Sequence, residues 1–320
     1  MTAIRDLVSG DSVDGFFALR KLERREHSGG ERLTLELGDA TGRIDAVMWD
    51  GYETVVDGLT VGGVVKIRGT VGTFRERPQI RVDRMRLARD GEVNPAEFLP
   101  VSSINAEDLA RGLDTAIAGL TDTHLRALMT AIFGDDSVRR AYLAAPAGKL
   151  WHHNTVGGLA EHSLNLVRLC HYACEMYPEL NRDLLTCGAL LHDIGKIEQY
   201  AVSSYIDYSD EGRLVGHINS GDFRVAQAIR SIDGFSADTE RLLRHLIVSH
   251  QGLLEQGSPV VPQTMEAFVL YSADELDSKM GALRRVREKT PEGGWSEYIN
   301  LIGRYVYFGP PRQGSGGDKD

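Results

Sequence analysis

Histidine and aspartate stand side by side at positions 192 and 193, directly after the apolar run Leu184-Leu185-Thr186-Cys187-Gly188-Ala189-Leu190-Leu191 and directly before Ile194-Gly195-Lys196. A nitrogen and an oxygen ligand thus emerge together at the C-terminal end of an apolar helix. Neighbours on a helix diverge by about 100°, so this pair cannot grip one ion as an i, i+4 pair does. A carboxylate lying between two ions can instead bridge them while the histidine holds one. His162, His192, His217, His245 and His250, with Asp193 and Asp274, all fall on apolar helices or at helix ends. Burying an imidazole or a carboxylate costs free energy unless it has a partner, and one bound cation satisfies several at once. Taken singly, a histidine such as His245 or His171 is satisfied by an exposed tip or a local hydrogen bond. The adjacent pair is what points to metal, and mixed imidazole and carboxylate ligation suits Mn, Fe, Co, Ni or Zn better than a Mg-only or thiolate site.

Nucleophilic serine or cysteine chemistry finds no support, because no Gly-x-Ser-x-Gly elbow and no Cys/His pairing stands out. The three cysteines, Cys170, Cys174 and Cys187, lie in helix-like apolar stretches and read as packing residues; a zinc knot from Cys170, His171 and Cys174 is the weaker alternative.

The elements that must position these groups follow from periodicity. With 320 residues, 42% of them hydrophobic, the chain is long enough for two domains and apolar enough to bury cores. From Gly15 to about Arg89 the pattern is of short strands. Leu33, Leu35 and Leu37 alternate with Thr34 and Glu36, residues 38–42 supply a turn, and Arg43 to Trp49 alternates again. A second hairpin turns near Arg75-Glu76-Arg77-Pro78. Four or five strands in about 75 residues suggest a small antiparallel barrel. Asp90 to Val101 reads as a linker, and everything beyond it as helical. Asn105 can cap a helix to about Leu120 and Asp122 another to Phe133, while Leu159, His162, Leu166 and Leu169 share a face. Further helices are expected over residues 183–192, 217–232, 237–250 and 265–289.

Acidic residues outnumber basic ones by 46 to 36, which excludes a surface coated for nucleic acid throughout. The balance reverses locally. Between Lys66 and Arg89 lie Lys66, Arg68, Arg75, Arg77, Arg81, Arg84, Arg86 and Arg89 against Glu76 and Asp83, with Phe16, Phe17, Trp49, Tyr52 and Phe74 nearby. Arginines that track a phosphate backbone, with aromatic faces for bases to stack on, are what sequence-tolerant single-strand binding requires. We assign that role to Trp49, Arg68, Phe74, Arg75, Arg77 and Arg81; Phe16 and Phe17 read as core. The competing reading is a solvated strand edge blunted by charge.

At this point the chain resembles a known superfamily. His162, His192-Asp193 and Asp274 match the H…HD…D pattern of the HD-domain metal-dependent phosphohydrolases. Gly158-Leu159-Ala160-Glu161-His162, residues 212–218, residues 245–250, residues 257–262 and Ala273-Asp274-Glu275-Leu276-Asp277-Ser278-Lys279-Met280 are similar to the YhaM-type 3′-5′ exoribonucleases. The resemblance implies a multi-domain chain, an OB-fold barrel for nucleic acid over residues 1–90 and an all-α HD domain over 105–308; composition makes 91–104 a linker and the Gly-, Pro- and charge-rich 309–320 a disordered tail, which the resemblance does not cover. It implies metal ligation by His162, His192, Asp193 and Asp274, with His217 and His250 completing a second site. His245 and His250 are about 140° apart on a helix, so only one faces the site, and we favour His250. Gln251 departs from the family pattern, which tends to carry a second histidine there, and so weakens the second metal.

Two ions about 3.5 to 4 Å apart lower the pKa of a shared water and neutralise phosphoryl oxygens during in-line attack. Asp193 and Lys196 are then the catalytic groups, Lys196 countering charge on a phosphate oxygen; its plainer role is a helix C-terminal cation. The expected activity is 3′-5′ hydrolysis of single-stranded RNA to 5′-mononucleotides with two divalent ions, manganese first and Fe, Co, Ni, Zn or Mg compatible. Single-stranded DNA is a further candidate substrate, and self-association is compatible. The alternatives are a nucleotide or cyclic-dinucleotide phosphohydrolase and a non-catalytic single-strand binder. No run approaches the roughly 18 apolar residues of a membrane span, and the N-terminus lacks a signal-peptide pattern, so a cytoplasmic location is expected.

Overall fold

A computed structural model describes residues 3–27, 30–75, 77–102, 104–149, 153–288, 290, 294–300 and 302–310. The chain divides into two compact units, residues 1–103 with 198–214, and residues 104–197 with 215–320.

The first unit is built on five strands, β1 (Ser12–His27), β2 (Gly30–Gly38), β3 (Arg43–Met48), β4 (Val64–Phe74) and β5 (Arg77–Leu87), closed into a barrel in the order β1-β2-β3-β5-β4. Period-two alternation drives it: Leu33, Leu35 and Leu37 of β2 and Ile44, Ala46 and Met48 of β3 are buried inside. The Asp39 carboxylate closes the β2–β3 turn by accepting from the amides of Thr41 at 2.7 Å and Gly42 at 2.9 Å. All pairings are antiparallel except the closing pair β3–β5, which is parallel. Of the second hairpin's turn, Arg75 takes φ +50° and Glu76 lies outside the described residues.

Two departures from the sequence reading concern boundaries. The segment read as a linker carries a short 3-10 helix, Pro95–Phe98, and its Phe98 is buried with Ala18 and Val64 of the barrel. Apolar burial holds it in place. Residues 198–214, read as helical, form a two-stranded ribbon of β6 (Tyr200–Val202) and β7 (Ile206–Tyr208) and group with the barrel. Ser204 donates to the Gly62 carbonyl at 2.8 Å, and the Arg20 guanidinium lies 5.7 Å from the Tyr205 ring centroid.

The second unit is helical. It contains α1 (Ala106–Ala118), α2 (Thr123–Phe133), α3 (Asp136–Ala144), α4 (Gly158–Met176), α5 (Arg182–Leu191), the first two residues of α6 (Lys196–Gln199), α8 (His217–Ile229), α9 (Ala237–Ser249) and α10 (Met265–Glu288); the end of α6 and all of α7 (Asp210–Leu214) fall within the segment 198–214. Asn105, Asp122, Asp135, Asn181 and Ser236 each cap a helix by accepting from its first backbone amides. The helix α3 was not foreseen, being short and polar on its outer face. Residues 311–320, expected to be disordered, lie outside the described residues. Among the described residues no helix is long and apolar enough to cross a membrane.

The β4–β5 register shifts between Arg68 and Gly69, where β5 bulges at Asp83, and a Cβ at Gly69 would run into the Arg81 carbonyl. Gly69→Ala should therefore cost the barrel about 1–3 kcal/mol, read by urea denaturation of the full chain. Gly72→Ala, whose Cβ would meet Gln79 at an ordinary 3.9 Å, should leave the midpoint unchanged.

Candidate metal centre and nucleic-acid face

The eight residues Leu184 to Leu191 of α5 are all buried, so the helix end delivers His192 and Asp193 into the interior of the helical unit. Gly188 lets α9 approach closely, since a Cβ there would lie 2.5 Å from Leu246. The hydroxyl of fully buried Tyr142 donates to the Leu190 carbonyl at 2.9 Å and fixes the end of α5. Gly195, inside the His192–Lys196 string, is required by packing, because a Cβ would run into the carbonyl of His217.

Around Asp193 four histidines from four helix positions converge. Its Oδ2 lies 3.2 Å from His192 Nε2, 3.9 Å from His162 Nε2 and 2.5 Å from Lys196 Nζ. Its Oδ1 lies 3.3 Å from His217 Nε2 and 3.6 Å from His250 Nε2. Asp274 Oδ1 lies 3.2 Å from His162 Nε2. Three overlapping triads, His162–His192–Asp193, His192–His250–Asp274 and Asp193–His217–His250, each bring one ligand atom per residue within 4.8 Å of the others. His192 Nε2 and Asp193 Oδ1 are buried with no hydrogen-bond partner, so the short approaches lack hydrogen-bond alignment. Lone pairs aimed at a common space in that way are what a cation needs, and buried polar atoms without it would be costly. The donor set, imidazole with carboxylate, fits a divalent transition metal.

Tautomers agree. His192 Nδ1 lies 2.9 Å from the Ala189 carbonyl and His250 Nδ1 2.7 Å from that of Ile247, so each neutral ring donates there and keeps its Nε2 lone pair for the site. Burial pushes His217 down to about 3 and His250 down to about 4, which keeps both neutral and ligand-competent. Burial opposes charge on His162 as well, yet Asp274 and Asp277 raise it to about 9. Burial alone would lift the Asp193 carboxyl, but Lys196 and the neighbouring imidazoles hold it well below the ordinary carboxylate range.

The structure thus brings together His162, His192, Asp193, Lys196, His217, His250 and Asp274. His245 is elsewhere, its Nε2 accepting from the Gln263 amide at 2.9 Å. His171 is engaged by Thr186 at 2.9 Å and Arg182 at 3.0 Å. Lys196 opens α6 rather than closing a helix, so its partner is the Asp193 carboxylate and not a helix C-terminus. Gln251 stands beside His217, its Nε2 3.3 Å from that ring's Nε2, on the His217–His250 side of Asp193. Three residues at the site went unread in the sequence: Asp277, His153 and Glu161. The signal for Asp277 was its place three residues after Asp274 on one helix face; His153 lies in a loop without periodicity and gave none.

On the barrel, Arg68 and Arg81 face outward from β4 and β5, in register with Arg84 and Thr70. Arg68 is bridged to Asp14 at 2.7 Å. Phe74 and Arg77 are register partners at the hairpin end, and Arg75 lies over the half-exposed Phe74 ring at 5.3 Å. Trp49 is apart from these, just beyond β3, with the Arg32 guanidinium 4.8 Å from its ring. Phe17 is core, but Phe16 is not fully buried: it lies on the outer face with Lys66 at 5.3 Å and Arg86 at 5.7 Å from its ring. Strand alternation, which sends neighbours to opposite sides, could have assigned Phe16 outward.

Residues 159–279 match the HD domain family and residues 19–88 the family described as OB-fold nucleic acid binding domain. Over 303 residues the chain is 30% identical to the 3′-5′ exoribonuclease YhaM of Oceanobacillus iheyensis, covering 94% of this chain and 95% of that protein. To the proteins of the same name from Geobacillus sp. and Listeria monocytogenes it is 29% and 30% identical, covering 94% and 95% of this chain and 93% and 97% of theirs.

The crowding at Gly195 is testable. Gly195→Ala should lower the stability of the helical unit by about 1–3 kcal/mol, because backbone at His217 must yield. An unchanged thermal midpoint for the metal-free protein would contradict that packing.

Proposed function

The chain belongs to the YhaM family, and from that premise we propose that it is a metal-dependent 3′-5′ exoribonuclease, shortening single-stranded RNA and releasing 5′-mononucleotides. The observation that carries the metal-dependent reading is Asp193, whose two carboxylate oxygens face two different groups of histidines. In this reading His162, His192 and Asp274 would hold one divalent ion and His217 and His250 another, with Asp193 available to both groups. Such a pair of ions would supply the charge that activates a water and neutralises the phosphoryl oxygens in an in-line displacement, with manganese the first candidate.

The protein's own groups do the rest. Neutral His217 and His250 offer lone pairs at the pH of the cell, since burial keeps them unprotonated. Lys196, its Nζ beside Asp193, would counter charge developing on a phosphoryl oxygen next to that carboxylate. The outward Arg68, Arg75, Arg77 and Arg81 would follow the phosphates of the strand while Phe74 and Trp49 stack on bases. Family membership along the whole chain disfavours the small-nucleotide phosphohydrolase and the non-catalytic binder. The reading puts the enzyme in the cytoplasm with its RNA.

Metal-depleted protein, reloaded separately with Mn, Mg, Fe or Zn, should convert 5′-labelled RNA into a ladder shortened one nucleotide at a time from the 3′ end. Asp193→Ala should lose both ions and lower turnover by at least about a hundredfold, the loss of several kcal/mol of charge stabilisation. Full activity in metal-depleted Asp193→Ala protein would refute the reading. Gln251→His should tighten the weaker of two metal-dependent steps, an imidazole being a better ligand than an amide oxygen.

For the barrel, Phe74→Ala should weaken long strands by about 1–3 kcal/mol, and Arg81→Ala should flatten the salt slope of binding by about 0.7. Unaltered affinity and slope in both variants would remove the barrel from strand binding.

A further inference from the structure

We propose that Asp277 is a positioning residue that acts through His162, fixing which nitrogen of that ring is available to the metal; the assignment rests on the two-ion reading above. His162 differs from His192 and His250 in that its own helix does not orient it. His192 and His250 cap the C-terminal ends of α5 and α9, where the last carbonyls lack helical amides to accept from, and their Nδ1 atoms use two of these, Ala189 and Ile247. His162 sits in the first half of α4, where carbonyls already serve the helix. Its Nδ1 needs an acceptor from elsewhere.

Asp277 supplies it. Its Oδ2 lies 2.7 Å from His162 Nδ1, on the edge of the ring opposite Asp274, whose Oδ1 is 3.2 Å from Nε2. The carboxylate is itself held on both oxygens. Oδ2 is 2.8 Å from His153 Nε2, and Oδ1 accepts from Asn165 Nδ2 at 3.0 Å. His153 in turn has Nδ1 3.8 Å from Glu161 Oε1, and its backbone is packed against Gly158, where a Cβ would collide with the His153 carbonyl. Donors from α4 and from the loop before it therefore leave Asp277 no alternative orientation. With an ion bound, an acceptor fixed there would keep the remaining ring proton on Nδ1 and leave Nε2, which faces Asp193 and Asp274, to the metal. A ligand histidine with such a carboxylate behind it binds metal more tightly and in one orientation.

The test is calorimetric titration of Mn²⁺ into the metal-free full chain, resolving two binding steps. Asp277→Asn, nearly isosteric but uncharged, should weaken one step by about 10- to 100-fold and leave the other within about twofold. The His162→Ala background gives a readout that a merely structural role would move: there, adding Asp277→Asn should cause no further loss. Both steps weakened alike, neither weakened, or an additive loss in the His162→Ala background would each overturn the assignment. Melting in chelator checks folding. Should Asp277→Asn fail to fold, His153→Phe, which removes one donor and keeps the carboxylate, should weaken the same step by a smaller factor, and unchanged binding there would equally overturn it. Wild-type protein that takes up fewer than two ions would sink the two-ion reading itself, whereas two ions untouched by Asp277→Asn would remove this assignment alone.

Discussion

A carboxylate with almost no solvent contact governs the helical unit. Asp193 is 2% exposed, and taking such a charge out of water costs several kcal/mol unless compensating charge or dipoles surround it. Lys196 at 2.5 Å and the imidazoles of His162, His192, His217 and His250 are that compensation, with any cation they hold. None of these groups is close to Asp193 in the chain except His192 and Lys196. The helices must therefore end or cross where they do, and the fold can be understood as the means of bringing three remote segments, those of His162, His217 and His250, to one carboxylate.

Helix ends solve two problems at that point. A helix terminus leaves carbonyls without amide partners, and it is also where a side chain can leave the helix axis and enter the interior. His192 and His250 exploit both, each satisfying a terminal carbonyl with Nδ1 while offering Nε2 inward. Close approach is the cost of the arrangement. Gly188 and Gly195 sit where any Cβ would meet Leu246 or the His217 backbone, so small residues are dictated by packing density and not by chain flexibility.

The barrel answers to a different constraint. Its inner face is a closed apolar core, so chemistry can only be placed on the outward positions of the strands and at the hairpin ends. There the cations sit against aromatic rings: Arg32 on Trp49, Arg75 on Phe74, Lys66 and Arg86 on Phe16. Some of the positive charge is already neutralised within the unit, Arg68 by Asp14 and Arg86 by Glu92. The excess of basic residues read along the chain thus overstates what the outer face presents.

Local patterns determined much by themselves. The alternation of Leu33, Leu35 and Leu37, the caps at Asn105 and Asp122, and the apolar run ending in His192-Asp193 are short-range signals, because strand faces, first-turn amides and helix exits are set by residues within a few positions of one another. Those signals also allowed Asp193 to be read as a bridging carboxylate, since neighbours on a helix cannot share one ion. What tertiary structure alone decided is long-range. The parallel β3–β5 closure depends on strand order, and the grouping of residues 198–214 with the barrel depends on contacts such as Ser204 with Gly62. The choice of His250 over His245 depends on which side of α9 meets α5. Asp277 and His153, 124 positions apart in the chain, meet only because α10 crosses α4. The spacing of Asp277 from Asp274 marks a shared helix face, but no local pattern could reveal that its partner is His153.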